Sequence, residues 1–407
     1  MVSPVPTVGS VTVLVLVKAG SRYEHQANNG IAHFLEHMFF KGAKKYVNAK
    51  QVAMAVDDIG GVSNAFTDKE YVGYYIRVAS EYVETAFDIL SDMLLESTFP
   101  EEEIHKERNV ILEEMHMYQD APAQQIFWNF EKHILGDQPL GWDEIGTKEC
   151  LDSITQKDFF AYKKQLYTPD RMVISVAGNV TPKYAKDLTE KYFGSMQDEA
   201  QTSFIPFLQN TTPTLSIQHK DTDQAHLMLG YFGLPMTHPL RTAQKVLTTI
   251  LGGNSSSRMF QELREERGLC YYVHTGSSSY HDTGTLYAKA GIALQRIEEA
   301  LPALVAEMKK GADASSFTNE ELMRAKNYMK GTLALSMEDT ESVAHFMGKE
   351  WLLKDEISTF EDVKERIDNC TMEDLKQVSS LLTNQQLYVS IIGPYKEKQS
   401  VLSTMIH

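Results

Sequence analysis

Ile31-Ala32-His33-Phe34-Leu35-Glu36-His37-Met38-Phe39-Phe40 is the stretch from which the rest of the chain is read. It is apolar apart from His33, Glu36 and His37, and Gly30 stands just before it. No Pro or Gly interrupts it, so it reads as a buried helix. Positions i, i+3 and i+4 share one helix face, so these three polar side chains point together out of an apolar rod. Burying two imidazoles and a carboxylate in one place is costly unless something pairs them. A divalent metal does so: two histidines at i and i+4 can each give a ring nitrogen to one Zn²⁺, and the carboxylate between them can hold a water. The alternative is a pair of core histidines satisfied by backbone groups or by Glu36.

The chain has 407 residues, enough for two or three domains with ample core. Its 43% hydrophobic and 23% charged residues are ordinary for a globular protein. The formal net charge of -16 argues against a nucleic-acid partner and against an anionic membrane surface. Three widely spaced cysteines, Cys150, Cys270 and Cys370, suggest neither a disulfide framework nor a cysteine-based metal site, and favour a reducing compartment. The apolar run Val11 to Val17 is too short to span a bilayer, and no signal peptide precedes it. After Pro4 and Pro6 the chain enters a strong strand at once, as though an earlier strand were missing.

Val11 to Lys18, Val62 to Thr67, Tyr71 to Val78 and Arg171 to Ala177 read as strands. Glu81 to Ser97, Glu101 to Tyr118 and Ile154 to Leu166 read as helices. Polar residues, Thr pairs and prolines mark a linker at 198–213. Beyond it the order starts again. Ala225 to Phe232 answers to Val11 to Lys18, and Thr242 to Leu251 with Ser257 to Glu266 stand where the first helix was. Thr285 to Gly291, Ile297 to Lys310 and Asn319 to Met337 follow in the same sequence, and Tyr388 to Gly393 matches Val173 to Gly178. The expected fold is α+β, with two duplicated domains at 1–197 and 214–407, each a mainly antiparallel sheet packed with helices. The second half has no His-x-x-Glu-His, and Lys326, Met329 and Lys330 stand in its long helix, so the chain holds one metal site.

A catalytic zinc takes three protein ligands and leaves one position open. Glu36 is poorly suited to be both ligand and base, so a third ligand must come from elsewhere. Glu107 and Glu114 are seven residues apart on a helix, nearly two turns, and share a face with Val110 and Ile111 between them. That reads as a core-facing stripe with a carboxylate at each end. Glu114 or Glu107 is therefore expected to reach the metal, while Glu113, His105 and His116 are expected in solvent.

His33-Phe34-Leu35-Glu36-His37-Met38 together with Glu114 resembles the ligand pattern of the pitrilysin/insulinase zinc metallopeptidases, the inverzincins. Gly30 to Gly42 and Glu107 to Glu114 are similar to the mitochondrial processing peptidase branch and its bacterial relatives. The resemblance covers essentially the whole chain. It implies one Zn²⁺ per chain on His33, His37 and Glu114, with Glu36 as general base and Glu107 as an auxiliary carboxylate. It implies that the strand from Gly60 to Thr67, through Asn64, Ala65 and Phe66, lays out an extended substrate by its edge. Arg264-Glu265-Glu266-Arg267-Gly268-Leu269-Cys270-Tyr271 resembles the segment whose Arg and Tyr contact substrate, which implies those roles for Arg264 and Tyr271, with Arg267 a competing choice. It further implies half of a clamshell that two chains close as a homodimer, admitting unfolded peptides. The expected place is the bacterial cytoplasm, or else the mitochondrial matrix. The competing readings are a scaffold that keeps this fold without the chemistry, as in respiratory-complex core subunits, and a processing-peptidase-type subunit that needs a different partner chain.

Overall fold

The computed structural model describes residues 1–197, 202–209 and 212–406; part of the expected linker, at 198–201, 210 and 211, lies outside them. Ten strands follow in chain order: β1 (Val2–Pro4), β2 (Ser10–Val17), β3 (Val62–Thr67), β4 (Val72–Ala79), β5 (Met172–Gly178), β6 (Leu215–His219), β7 (Gln224–Gly233), β8 (Cys270–Ser279), β9 (Gly284–Ala293) and β10 (Tyr388–Gly393). They form two five-stranded sheets of the same topology, β1-β5-β2-β4-β3 and β6-β10-β7-β9-β8. In each, one pair is parallel, β1 with β5 and β6 with β10, and the other pairs are antiparallel. The duplication read from the order of elements is thus repeated in strand order and direction.

The described chain divides into two compact units, each assembled from separate stretches. The first contains Met1–Met115, Trp142–Ile205 and Ala334–Thr359; the second contains His116–Gly141, Pro206–Leu333 and Phe360–His407. Each sheet is therefore covered by one helix from the opposite half of the sequence. Thr340–Lys354 lies on β2 and β5, and Pro122–Leu135 lies on β7 and β10. This explains the composition of the central strands. Every residue of β2 after Ser10 is buried, because Val83–Leu95 covers one face and Thr340–Lys354 the other. Leu14, Leu16, Tyr71, Tyr75 and Val173 pack with Val343, Ala344 and Leu352 on that second face. In the second unit Met228, Phe232, Tyr388 and Ile392 pack likewise with Ile126, Phe130 and Ile134.

The strand expected to be missing from the first sheet is present as the three residues of β1, with Val2 opposite Val176. Pro4 closes it at the sheet margin, where its lack of an N–H is tolerated. Among the described residues no helix is long and apolar enough to cross a membrane.

Candidate metal centre

The helix Ile31–Phe39 buries Ile31, Ala32, Phe34, Leu35, Met38 and Phe39 and leaves His33, Glu36 and His37 half-buried on the remaining face. Its start is unusual. The N-cap is Gly30, with φ 95°, and it has no side chain to cap the first turn. A Cβ there would lie 2.6 Å from the Ile145 carbonyl oxygen, so only glycine fits. The free N–H groups are met from a distance by Glu24, which is almost wholly buried. Its Oε2 accepts from Asn29 Nδ2 at 2.9 Å and from Gly30 N at 2.8 Å, and its Oε1 accepts from Ala32 N at 2.9 Å. Burial pushes the Glu24 carboxyl up to about 7, against the three donors, which favour its charged form. The sequence pattern held one signal for this residue, a helix start without Ser, Thr, Asp or Asn.

Glu101–Gln119 is the second element of the site. Glu107 and Ile111 are buried on it and Glu114 is half-buried, so the two carboxylates do share a face. Val110 is 50% exposed and leaves the stripe, because it stands three positions from Glu107 on the outer flank. Glu113, His105 and His116 are exposed as expected. Arg108 fixes the helix from the side, donating from Nε to Leu151 O and from Nη2 to Ile154 O, each at 2.8 Å.

One ligand atom from each of His33, His37 and Glu114 lies within 4.8 Å of the others. Glu114 Oε2 faces His33 Nε2 at 3.7 Å and His37 Nε2 at 3.5 Å. These distances are too long for good hydrogen bonds. The shorter is close to, and the longer slightly above, the edge of a tetrahedron whose centre is about 2.0–2.1 Å from each corner, an edge of about 3.3–3.5 Å. Two imidazole nitrogens and one carboxylate oxygen are also a usual donor set for zinc, so the residues fit the metal.

The surrounding groups act on the two histidines differently. Glu107 Oε1 lies 2.9 Å from His37 Nδ1, and Lys41 Nζ lies 2.5 Å from Glu107 Oε2. That contact directs His37 Nε2 toward Glu114. Burial works to raise the Glu107 carboxyl, but the hydrogen bonds from His37 and Lys41 prevail and hold it below the usual range. His33 Nδ1 is buried without a hydrogen-bond partner among the described residues. Burial, and then the neighbouring His37, push His33 down to about 3, so its ring is neutral and can donate a lone pair. Glu36 lies close enough to His37 and Glu114 to feel the charge of both. Thr67 Oγ1 donates to its Oε2 at 2.5 Å, and burial raises its pKa despite that bond. Sequence reasoning missed Lys41 and Thr67, both polar residues at the ends of recognised elements.

The other expected site residues fall in two places. Asn64, Ala65 and Phe66 lie on β3, the outer strand of the first sheet. Phe66 spends its ring on Tyr71 and His345, at 5.7 and 5.3 Å between centroids, so β3 offers backbone rather than this side chain. Arg264 lies in a π-helical segment, Phe260–Glu266, in the second unit. Tyr271 sits at a bulge between Cys270 and Tyr272 in β8, which turns it out to 73% exposure. The Arg264 guanidinium lies 6.0 Å from the Tyr271 ring centre. Arg267 is engaged by Glu262 and Glu299, at 3.7 and 3.4 Å.

Comparisons with known proteins bear on the family and the fold. Residues 2–148 match the family model described as Insulinase (Peptidase family M16), and residues 153–329 match the one described as Peptidase M16 inactive domain. The chain is 39% identical to the uncharacterized zinc protease YmxG of Bacillus subtilis (strain 168), over 96% of this chain and 94% of that protein. A protease from Helicobacter pylori, seen in a crystal structure, superposes with a TM-score of 0.85 at 25% identity, over 97% of this chain and 96% of that one. A chain of Complex III2 from Candida albicans shares the fold, with a TM-score of 0.85 at 17% identity over 100% and 96% of the two chains. Conserved architecture, a facing His–His–Glu triad and relatives named zinc proteases lead to one assignment: the chain belongs to the pitrilysin/insulinase (M16) peptidase family.

Proposed function

We propose that the chain is a zinc-dependent endopeptidase acting on unfolded peptides. The observation that carries this reading is the spacing of His33, His37 and Glu114, whose facing atoms lie 3.5 and 3.7 Å apart. Zn²⁺ held by these three residues supplies a Lewis acid and acidifies a water at neutral pH. Glu36 is the proposed base. It takes the proton of the attacking water at a carboxylate oxygen and returns it to the leaving amine. Burial raises its pKa above the usual carboxylate value, which makes it a better proton acceptor. Thr67 holds the carboxylate in place, and Glu107 orients His37.

β3 ends at Thr67, beside Glu36, and it is the outer strand of its sheet. An extended peptide paired with its free edge is held mainly by backbone groups, with weak sequence preference. Arg264 and Tyr271 are the proposed further substrate contacts, supported by the exposure of Tyr271 and by the family resemblance. In that reading two chains form a homodimer, and each chain's pair serves the other's centre. The three free cysteines suit a reducing compartment such as a bacterial cytoplasm.

The scaffold reading is supported by the likeness of one half to a domain described as inactive, and that half lacks the ligands. Glu36→Gln separates the two. The peptidase reading expects zinc retained by elemental analysis, with cleavage of an unstructured peptide lowered by about 10²–10⁴-fold. Undiminished cleavage removes Glu36 from its role, and a wild-type chain that binds zinc but cleaves nothing as the purified homodimer favours the scaffold. An active monomer in gel filtration at assay concentration removes the dimer.

A further inference from the structure

The matching registers of the two sheets allow their residues to be paired one by one. Gly178 and Gly393 end β5 and β10, so Val176 corresponds to Ile391, and their partners Val13 and Leu227 correspond. Following the ladders outward, Thr12 corresponds to His226, Tyr75 to Lys289, Val62 to Tyr272 and Asn64 to His274.

In the first unit this corner is filled by the chain itself. Arg77 Nη1 donates to Asp339 Oδ1 at 2.7 Å, the hydroxyls of Thr12 and Thr340 lie 2.8 Å apart, and Glu341 is near enough to Tyr75 to add to the burial that raises its phenol. Two carboxylates at the start of Thr340–Lys354 thus close the corner. Counted from the first residue of the covering helix, Asp339 and Glu341 correspond to Ala121 and Ala123 before and within Pro122–Leu135. The second unit has lost both acids. In their place it has gained basic groups. Lys289 is directly opposite His274 on β8, and His226 and Tyr272 are one step along the same face. His226 Nδ1 and Tyr272 Oη lie 2.9 Å apart. Lys289 is half-buried and has no carboxylate partner among the described residues.

We infer that the corner formed by His226, Tyr272, His274 and Lys289 is a binding site for a peptide carboxylate supplied from outside the chain. Lys289 contributes the charge, and the phenol and imidazoles contribute donors around it. Burial lowers the pKa of Lys289, and burial with the Lys289 charge lowers both His226 and His274, as expected of a basic group without its counter-charge. The ligand is peptidic because β8 is the outer strand of its sheet, so an extended chain can add backbone bonds beside the corner. On a chain of net charge -16, an unfilled basic corner stands out against a surface that repels anions.

The test uses the full chain carrying Glu36→Gln, which keeps any probe intact. Binding is read directly, so the result stands whether or not the wild-type chain cleaves peptides. Three fluorescein-labelled versions of one unstructured peptide are compared by anisotropy: a free C-terminal acid, its amide, and an amide with one central Glu. The acid is expected to bind about 10-fold tighter than the plain amide, the scale of a charged hydrogen bond. If the Glu-bearing amide matches the acid, the carboxylate comes from a side chain; if it matches the plain amide, it comes from the terminus. Lys289→Met, and separately Lys289→Tyr with the residue of the first unit, should abolish the preference and leave amide affinity unchanged. Equal affinity for all three peptides, no binding of any, or a preference that survives both substitutions overturns the site.

Discussion

The two units are built on one plan and differ in what their buried polar residues are given to do. In the first, the helix Ile31–Phe39 turns His33, Glu36 and His37 toward a second helix that supplies Glu107 and Glu114. In the second, Arg241–Gly252 also buries polar residues, Gln244 and Thr248, whose oxygens bond to backbone of the same unit, while Gln244 Nε2 is buried without a partner among the described residues. Gln244 Oε1 accepts from Leu234 N at 2.8 Å, and Thr248 donates to Lys245 O at 2.9 Å. Counted from the helix start, Ala325 and Thr332 stand where Glu107 and Glu114 do. The same scaffold thus holds either imidazoles and a carboxylate converging on one point or neutral polar groups that bond one at a time to backbone. The fold by itself does not confer the chemistry.

That contrast can be broken by giving the first unit the residues of the second. Glu114→Thr should have the largest effect: zinc content by elemental analysis falls to background, and cleavage of an unstructured peptide falls with it. Retention of stoichiometric zinc after this change removes Glu114 from the ligand set. Glu107→Ala should be milder. His37 loses its Nδ1 partner, and zinc affinity, measured by competition with a chromogenic chelator, should weaken by about 10–100-fold. An unchanged affinity leaves Glu107 a packing residue paired with Lys41.

Glu24→Ala sharpens the comparison in stability. It leaves buried donors of Asn29, Gly30 and Ala32 unpaired, and a loss of about 3 kcal/mol is expected in urea unfolding of the metal-free chain. The helix Arg241–Gly252 has no side-chain cap to lose. The smallest effect concerns acid. His345 lies against Phe66 and Tyr71 with Lys349 and Asp68 near, and burial, then Lys349, lower it from 6.5 to about 4. Between those values the unfolded chain binds the proton and the folded chain does not, so stability is full above about pH 6.5 and falls as the pH drops toward 4. Its counterpart, five residues after the start of Pro122–Leu135, is Phe127. His345→Phe should therefore recover about 1–2 kcal/mol at pH 4 and nothing at pH 8. Equal recovery at both values points to packing instead of titration.

Much of the fold was legible because its elements carry strong local patterns. The central strand Ser10–Val17 is uniformly apolar, and Val83–Leu95 has clear helical spacing. The helices that cross to the opposite sheet were not legible. Thr340–Lys354 mixes buried Val343, Ala344 and Leu352 with Trp351 at 39% exposure, and nothing local says which sheet it covers. β8 escaped notice because its outward residues are Ser, Gly and His, and its bulge breaks the alternation at Tyr271. In the metal centre, the i, i+3, i+4 spacing exposed the helix and the two-turn spacing exposed Glu107 and Glu114. Lys41 and Thr67 carried no pattern, and Glu24 only the indirect one of a helix start without a capping side chain, since each meets its partner through the fold.

The sequence alone determined the cluster of His33, Glu36 and His37, because helical periodicity is a local property and three polar groups on one buried face demand a common partner. It also determined the duplication, since the order of elements repeats. Only the tertiary structure decided the rest. It selected Glu114 over Glu107 to face both imidazoles, placed Glu24 under the helix start, and exchanged one covering helix between the two sheets. The physical reason is the same in each case. These are contacts between residues far apart in the chain, and their free energy comes from desolvation and hydrogen bonding that exist only once both surfaces are brought together.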